Sequence, residues 1–164
     1  MKKDEPQIIL GLDPGYALTG WGVLKKEGQK LALIEAGCFT SDKSLPHPER
    51  LWQLSQKINA LIKKYQPNLL AIEELFFFKN LKTALKVAEA RGVILAAAHS
   101  QKIPIQEFTP LQIKQALVGY GRADKNQIQQ MVKVVLNLKK IITPDDAADA
   151  VAVAITCAHQ IKNK

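Results

Sequence analysis

Cysteine is scarce in this chain: Cys38 and Cys157 are the only two in 164 residues. They lie far apart and form no Cys-x-x-Cys pair, which excludes the disulfide framework of a small secreted domain and fits a reducing cytoplasm. The histidines, His47, His99 and His159, lack the spacing of zinc ligands. No run reaches the ~18 apolar residues of a membrane span. The stretch IILGL near the start is too short for a signal-peptide core and is closed by Asp13. Internal repeats, a glycine-rich phosphate loop and the biased composition of a disordered tail are also missing.

Acid is the scarcer charge. Fifteen Asp and Glu stand against 23 Lys and Arg, a net +8, and such a surface favours a polyanion through phosphate neutralisation and counterion release. The length and the 47% hydrophobic fraction suit a single soluble domain over 1–164, with enough core to fold without disulfides or structural metal.

Ile8 to Leu12 is a short apolar run closed by Asp13-Pro14-Gly15, the pattern of a buried strand ending in a turn. Thr19–Lys25 and Leu31–Thr40 predict two further strands in an antiparallel meander. In Pro48–Tyr65 the residues Leu51, Leu54, Ile58, Leu61 and Ile62 recur at intervals of three and four, one stripe of an amphipathic helix stopped by Pro67. Leu69–Ile72 predicts a central strand ending at Glu73-Glu74, and the intervening crossover helix implies that it runs parallel to a partner. The reading continues with a helix over Leu81–His99, a strand over Pro104–Thr109 and a short helix over Pro110–Val118. Two more helices follow, Asp124–Leu136 with Asp124 as N-cap, and Asp145–Gln160. The whole is an α/β fold, a mixed five-stranded sheet flanked by helices.

Several acids stand where acids are costly. Asp13 ends a buried strand, where it could simply start the turn, but Glu73 holds the same place on its own strand without that excuse. In TPDDAADAVAVAIT, Thr143 could be an N-cap, with Pro144 at the first helical position and Asp146 at the third position of a capping box, which offers Asp145 and Asp146 a purely structural role. Asp149 lies one turn into a helix of Ala and Val, where a carboxylate must be paired with a cation or bound to metal. No Lys or Arg lies near it in sequence, so a salt-bridge partner would have to come from elsewhere in the fold. Asp146 and Asp149, or Asp145 and Asp149, project from one helix face. Carboxylates from two strand ends and one helix suit hard, oxygen-seeking cations. Two Mg²⁺ ions about 3.5–4 Å apart can activate water and stabilise the leaving oxygen in phosphodiester hydrolysis.

Four segments, GLDPG…TGWGV, LLAIEELFFFKN, ALKVAEARGVILAAA and DDAADAVAVAIT, occur in this order between about Ile8 and His159. Together they resemble the RuvC family of Holliday junction resolvases. The resemblance implies a ribonuclease H-like fold, a homodimer acting on four-way junction DNA, and dependence on Mg²⁺, two ions per active site, with Mn²⁺ as a substitute. It implies paired symmetric nicks leaving 5′-phosphate and 3′-hydroxyl ends, and a RuvA-RuvB branch-migration complex as partner. Residue by residue, it assigns Asp13, Glu73, Asp146 and Asp149 as catalytic metal ligands and leaves Glu74 and Asp145 as neighbours.

Phe76, Phe77 and Phe78 cannot all face one core. The resemblance gives Phe76 the role of a wedge stacking on bases at an opened junction, against the alternative of a hydrophobic plug. It places Lys114 and Lys125 against the DNA backbone. Lys79 is a further DNA candidate, whereas Lys82 and Lys86 fit a solvated face. The helix Leu81–Ala98, with its apolar and small residues, is the candidate dimer face. Tyr16 departs from the small residue expected at its position. Rival readings are a YqgF-type nuclease of the same fold and an actin-like ATPase domain. The long EELFFFKN and ARG segments oppose the first, and the lack of a second domain and of a phosphate loop opposes the other.

Overall fold

The computed structural model describes residues 5–75 and 81–161. Its elements run β1 (Gln7–Asp13), β2 (Leu18–Glu27), β3 (Lys30–Thr40), α1 (His47–Tyr65), β4 (Leu69–Glu73), α2 (Leu81–Ser100), β5 (Ile105–Phe108), α3 (Pro110–Val118), α4 (Lys125–Val135) and α5 (Asp145–Gln160). The ten elements and their order are those predicted. The strands form one sheet in the order β3-β2-β1-β4-β5. β1, β2 and β3 make the antiparallel meander, while β4 lies parallel to β1 and β5 parallel to β4.

Alternation along each strand divides the core in two. Leu10 and Leu12 of β1, Trp21 and Val23 of β2 and Leu70 and Ile72 of β4 pack with α1 and α2, against Leu54, Ile58 and Ile94. Ile9, Leu24, Leu69 and Ala71 face the other way, onto α5 and the residues Ile113, Ile128 and Val132 of α3 and α4. From Ala147 to Ala158 every residue of α5 except Asp149 is buried. Such depth demands small side chains on both sides. A β-carbon on Gly11 would come within 2.2 Å of the carbonyl oxygen of Ala150, so β1 must carry glycine for α5 to lie this close.

The capping expectations divide. Asp124 caps α4 in a capping box, accepting from the Gln127 amide at 2.8 Å while the Gln127 side chain accepts from the Asp124 amide at 2.9 Å. The helix α5 spans Asp145–Gln160 as predicted, but its cap differs: Pro144, extended at φ −69° and ψ 171°, holds the N-cap place instead of the first helical position. Thr143 therefore gives no cap, and Asp146 stands second in the helix, free of the capping box. Among the described residues no helix is long and apolar enough to cross a membrane.

Candidate active site

Asp13 and Glu73 are the last residues of adjacent parallel strands, one step beyond the pair Leu12 and Ile72. By alternation both leave the sheet on the side of Ile9, Gly11, Leu69 and Ala71, the side covered by α5. There the first turns of α5 present Asp146 and Asp149. Asp13 thus feels the charges of Glu73, Asp146 and Asp149, which approach it from a neighbouring strand end and one helix. The first turn of α5 is set tight on β2, because Gly20, the partner of Asp13 across the β1–β2 pair, lies directly under Asp146.

This crowding appears in the electrostatics. Burial, followed by the charges of Glu73, Asp149 and Asp146, pushes the Asp13 carboxyl up to about 8, against the pull of Lys125. Burial and the charge of Asp149 push Glu73 up to about 7, with Lys114 opposing. Asp149 is also raised, by burial first, while Lys125 works in the other direction. Asp145 behaves differently: hydrogen bonds from Gln129 and Lys125 hold it below the usual carboxylate range. The group is therefore one of mutually repelling, half-buried carboxylates that near neutral pH needs positive charge.

The fold supplies some of that charge itself. Lys125, the first residue of α4, places its ammonium 3.2 Å from Asp149 and 3.3 Å from Asp145. Gln129, one turn on, donates to Asp145 at 2.9 Å. The salt-bridge partner absent from the sequence around Asp149 is thus Lys125, which had been assigned only to the DNA backbone. Among the described residues no three His, Cys, Asp or Glu side chains are drawn around a common point as a finished ligand set. The donors are nonetheless all carboxylate oxygens, and their mutual repulsion is what a hard divalent cation relieves; the residues fit Mg²⁺.

An open cleft runs beside these acids, lined by Glu73, Asp149, Lys114 and Lys125 over apolar Ile113 and Ile128. Lys114 and Lys125 hence border the carboxylates from α3 and α4. Phe76 and Lys79 lie outside the described residues. Lys82 is exposed, whereas Lys86 sits over the Tyr16 ring at 5.0 Å. Tyr16 itself is turned to the α1–α2 side, its hydroxyl 2.8 Å from His47 Nδ1 and its ring under the Arg50 guanidinium at 3.8 Å. The opposite face of the sheet accommodates the unexpectedly large side chain.

Sequence reasoning gave no role to Arg91. Its Nε donates to the carbonyl oxygen of Glu73 at 3.2 Å and its terminal nitrogen pairs with Glu107. The available signal was a charged residue on the stripe of α2 shared with Ala84, Ile94 and Ala98.

A family model described as crossover junction endodeoxyribonuclease RuvC matches residues 9–157. The crossover junction endodeoxyribonuclease RuvC of Desulfitobacterium hafniense is 51% identical over 154 residues, covering 94% of this chain and 93% of that protein. The solved structure of Thermus thermophilus RuvC in complex with Holliday junction substrate superposes with a TM-score of 0.86 at 33% identity, covering 92% of each chain. The yeast mitochondrial Holliday junction resolvase Ydc2 shares the fold, with a TM-score of 0.65 at 17% identity, over 92% of this chain and 78% of its own. The ribonuclease H-like architecture expected from the sequence is thus the one present.

Proposed function

The chain belongs to the RuvC family of crossover junction endodeoxyribonucleases, and from that premise we propose that Asp13, Glu73, Asp146 and Asp149 form its nuclease centre. Its activity is the resolution of Holliday junctions in recombination and repair. The observation that carries the assignment is the convergence of Asp13 and Glu73, from adjacent strand ends, on Asp149 of α5, with Asp13 raised to about 8 by burial and by the other three acids.

The four carboxylates would hold Mg²⁺, two ions in each site, with Mn²⁺ able to substitute. When bound, such ions would supply polarisation of the scissile phosphate and a lowered pKa for the attacking water. The remaining work belongs to the chain's own residues. Lys114 and Lys125 flank the acids and present positive charge to the phosphate backbone of the incoming strand. Ile113 and Ile128 give the cleft an apolar floor beside Glu73, and the lower local polarity there strengthens the interactions of the charges it adjoins. Phe76 keeps from the sequence the role of a wedge at the crossover, and Lys79 that of a backbone contact.

Two symmetry-related nicks require two active sites, and a homodimer supplies them on a two-fold axis. The exposed apolar residues Leu81 and Leu85 of α2 and Trp52 of α1 support a subunit interface on that side of the sheet, away from the acids. Paired cuts there leave 5′-phosphate and 3′-hydroxyl ends. The reading extends to a cytoplasmic enzyme working with the RuvA-RuvB branch-migration complex on four-way junctions.

The test is cleavage of a labelled four-way junction beside a matched linear duplex, with and without Mg²⁺. Cutting confined to the junction and to the metal-containing arm supports the reading. Equal cutting of the duplex, or cutting in the presence of a chelator, overturns it.

A further inference from the structure

Glu73 stands at a vulnerable place. It ends β4, and the chain beyond it leaves the sheet at Glu74. Strand ends are where sheets open first, because each residue there lacks a neighbour on one side. A nuclease ligand in that position needs its backbone held.

The structure holds it at both ends of a single peptide group. The N–H of Glu74 donates to the carbonyl oxygen of Phe108 on β5 at 2.8 Å. The carbonyl oxygen of Glu73, the other end of the same peptide, accepts from Arg91 Nε at 3.2 Å. Fixing both ends fixes the plane between them. The preceding peptide is already held in the ladders of β4 with β1 and β5, so fixing this second plane sets both backbone torsions of Glu73 and with them the direction in which its side chain leaves the α-carbon.

Arg91 does this from behind. α2 packs on the face with Leu70 and Ile72, whereas Glu73 points to the α5 face, so the guanidinium reaches the backbone without entering the cleft. Its side chain is 17% exposed, and its second partner, Glu107, belongs to β5. One planar fork therefore ties the ends of β4 and β5 to α2, a geometry suited to arginine and poorly reproduced by lysine.

We propose that Arg91 is a positioning residue of the nuclease centre, which fixes the Glu73 carboxylate for cation binding by clamping the Glu73–Glu74 peptide from the opposite face of the sheet. The proposal rests on the assignment of Glu73 as a metal ligand. It gives the ARG segment of α2 a task that neither DNA contact nor subunit contact requires.

The experiment measures Mn²⁺ binding to the full-length, DNA-free protein by electron paramagnetic resonance, alongside junction affinity, junction cleavage and melting temperature. Arg91→Met removes the donors and keeps the apolar stem. Its Mn²⁺ affinity and cleavage should fall about 10- to 100-fold, the range for outer-shell partners of metal ligands, while junction affinity stays within about twofold of wild type. Arg91→Lys, which keeps the charge and one donor, should recover part of both losses, and it carries the test if Arg91→Met does not fold. Glu107→Gln, which leaves the bond to Glu73 intact, should lower the melting temperature with Mn²⁺ affinity near wild type. Unchanged Mn²⁺ affinity in Arg91→Met or Arg91→Lys, with activity following only the folded fraction, overturns the proposal. So does a loss of junction affinity equal to the loss of cleavage. Glu73→Gln run in parallel separates the two failures: wild-type Mn²⁺ binding and cleavage in that variant overturn the assignment of Glu73 itself.

Discussion

Gly20 presses against the carbonyl oxygen of Asp146 so closely that a β-carbon would fall 1.9 Å from it. That oxygen is backbone in the first turn of α5 and cannot swing aside as a side chain would. Gly20→Ala should therefore lift the start of the helix, at a cost of roughly 1–3 kcal/mol. It should also reduce cleavage by more than the loss of folded protein explains, since Asp146 and Asp149 move with the turn. Denaturant unfolding beside single-turnover cleavage checks both. Full activity per folded molecule would show that the acids tolerate the displacement.

Asp13→Asn, Glu73→Gln, Asp146→Asn and Asp149→Asn should each retain junction binding and lose cleavage. Each removes one charge from the centre while leaving Lys114 and Lys125 in place. Metal ions contribute several kcal/mol of transition-state stabilisation, so a loss of about 100-fold or more is expected. Gel-shift and cleavage assays on one four-way junction decide it. Near wild-type rates in two of the four variants would overturn the assignment.

Without metal, stability should fall as pH rises. The Asp13 and Glu73 carboxyls ionise from ordinary values of 3.8 and 4.5 in the unfolded chain, but only at about 8 and about 7 when folded. Below pH 4 both states hold these protons and nothing is lost. Between about 4 and 8 for Asp13, and between 4.5 and about 7 for Glu73, the unfolded chain has released the proton while the folded chain has not, so each unit of pH favours unfolding until both states are ionised. Melting temperatures in chelator across that range should decline, and Asp13→Asn should flatten the slope. Mg²⁺ should raise the melting temperature most at the alkaline end.

Lys125→Met should bind Mn²⁺ more tightly than wild type when DNA is absent, because the Lys125 ammonium, 3.2 Å from Asp149, competes with any cation for that carboxylate. The pair is partly exposed and worth no more than about 1 kcal/mol, so the gain should be about fivefold at most. Junction cleavage should fall in the same variant through loss of a phosphate contact. Weaker Mn²⁺ binding would show that Lys125 supports the ligands instead of competing with them.

Leu85 is 60% exposed on α2, and a charge there should not disturb the fold of one subunit. Leu85→Glu is expected to sediment as a monomer at micromolar concentration, with a normal circular dichroism spectrum and without paired nicks. A dimer of unaltered affinity would place the interface elsewhere.

The acids were legible because each violates a local rule. Glu73 ends an apolar strand and Asp149 interrupts an alanine helix, and neither has a local excuse. The elements followed from period and punctuation, down to the cap at Asp124. The range of α5 was legible too, but its cap was not: Pro144 holds the N-cap place expected of Thr143. What remained hidden was tertiary. Lys125 meets Asp149 only because α4 lies alongside α5, and Arg91 serves a backbone carbonyl, a partner without any side-chain signature. Tyr16 looked too large for its turn because the turn was read without the helices behind it.

The burial of α5 also sets a timescale. Between Ala147 and Ala158 only Asp149 is spared full enclosure, so the amides of this helix can meet solvent only when the sheet and its covering helices separate. They should therefore exchange among the slowest amides in the molecule, through global unfolding. Asp149 is thus carried by an element that should be among the last to open, whereas Asp146, one turn nearer the helix end, depends on the contact with Gly20.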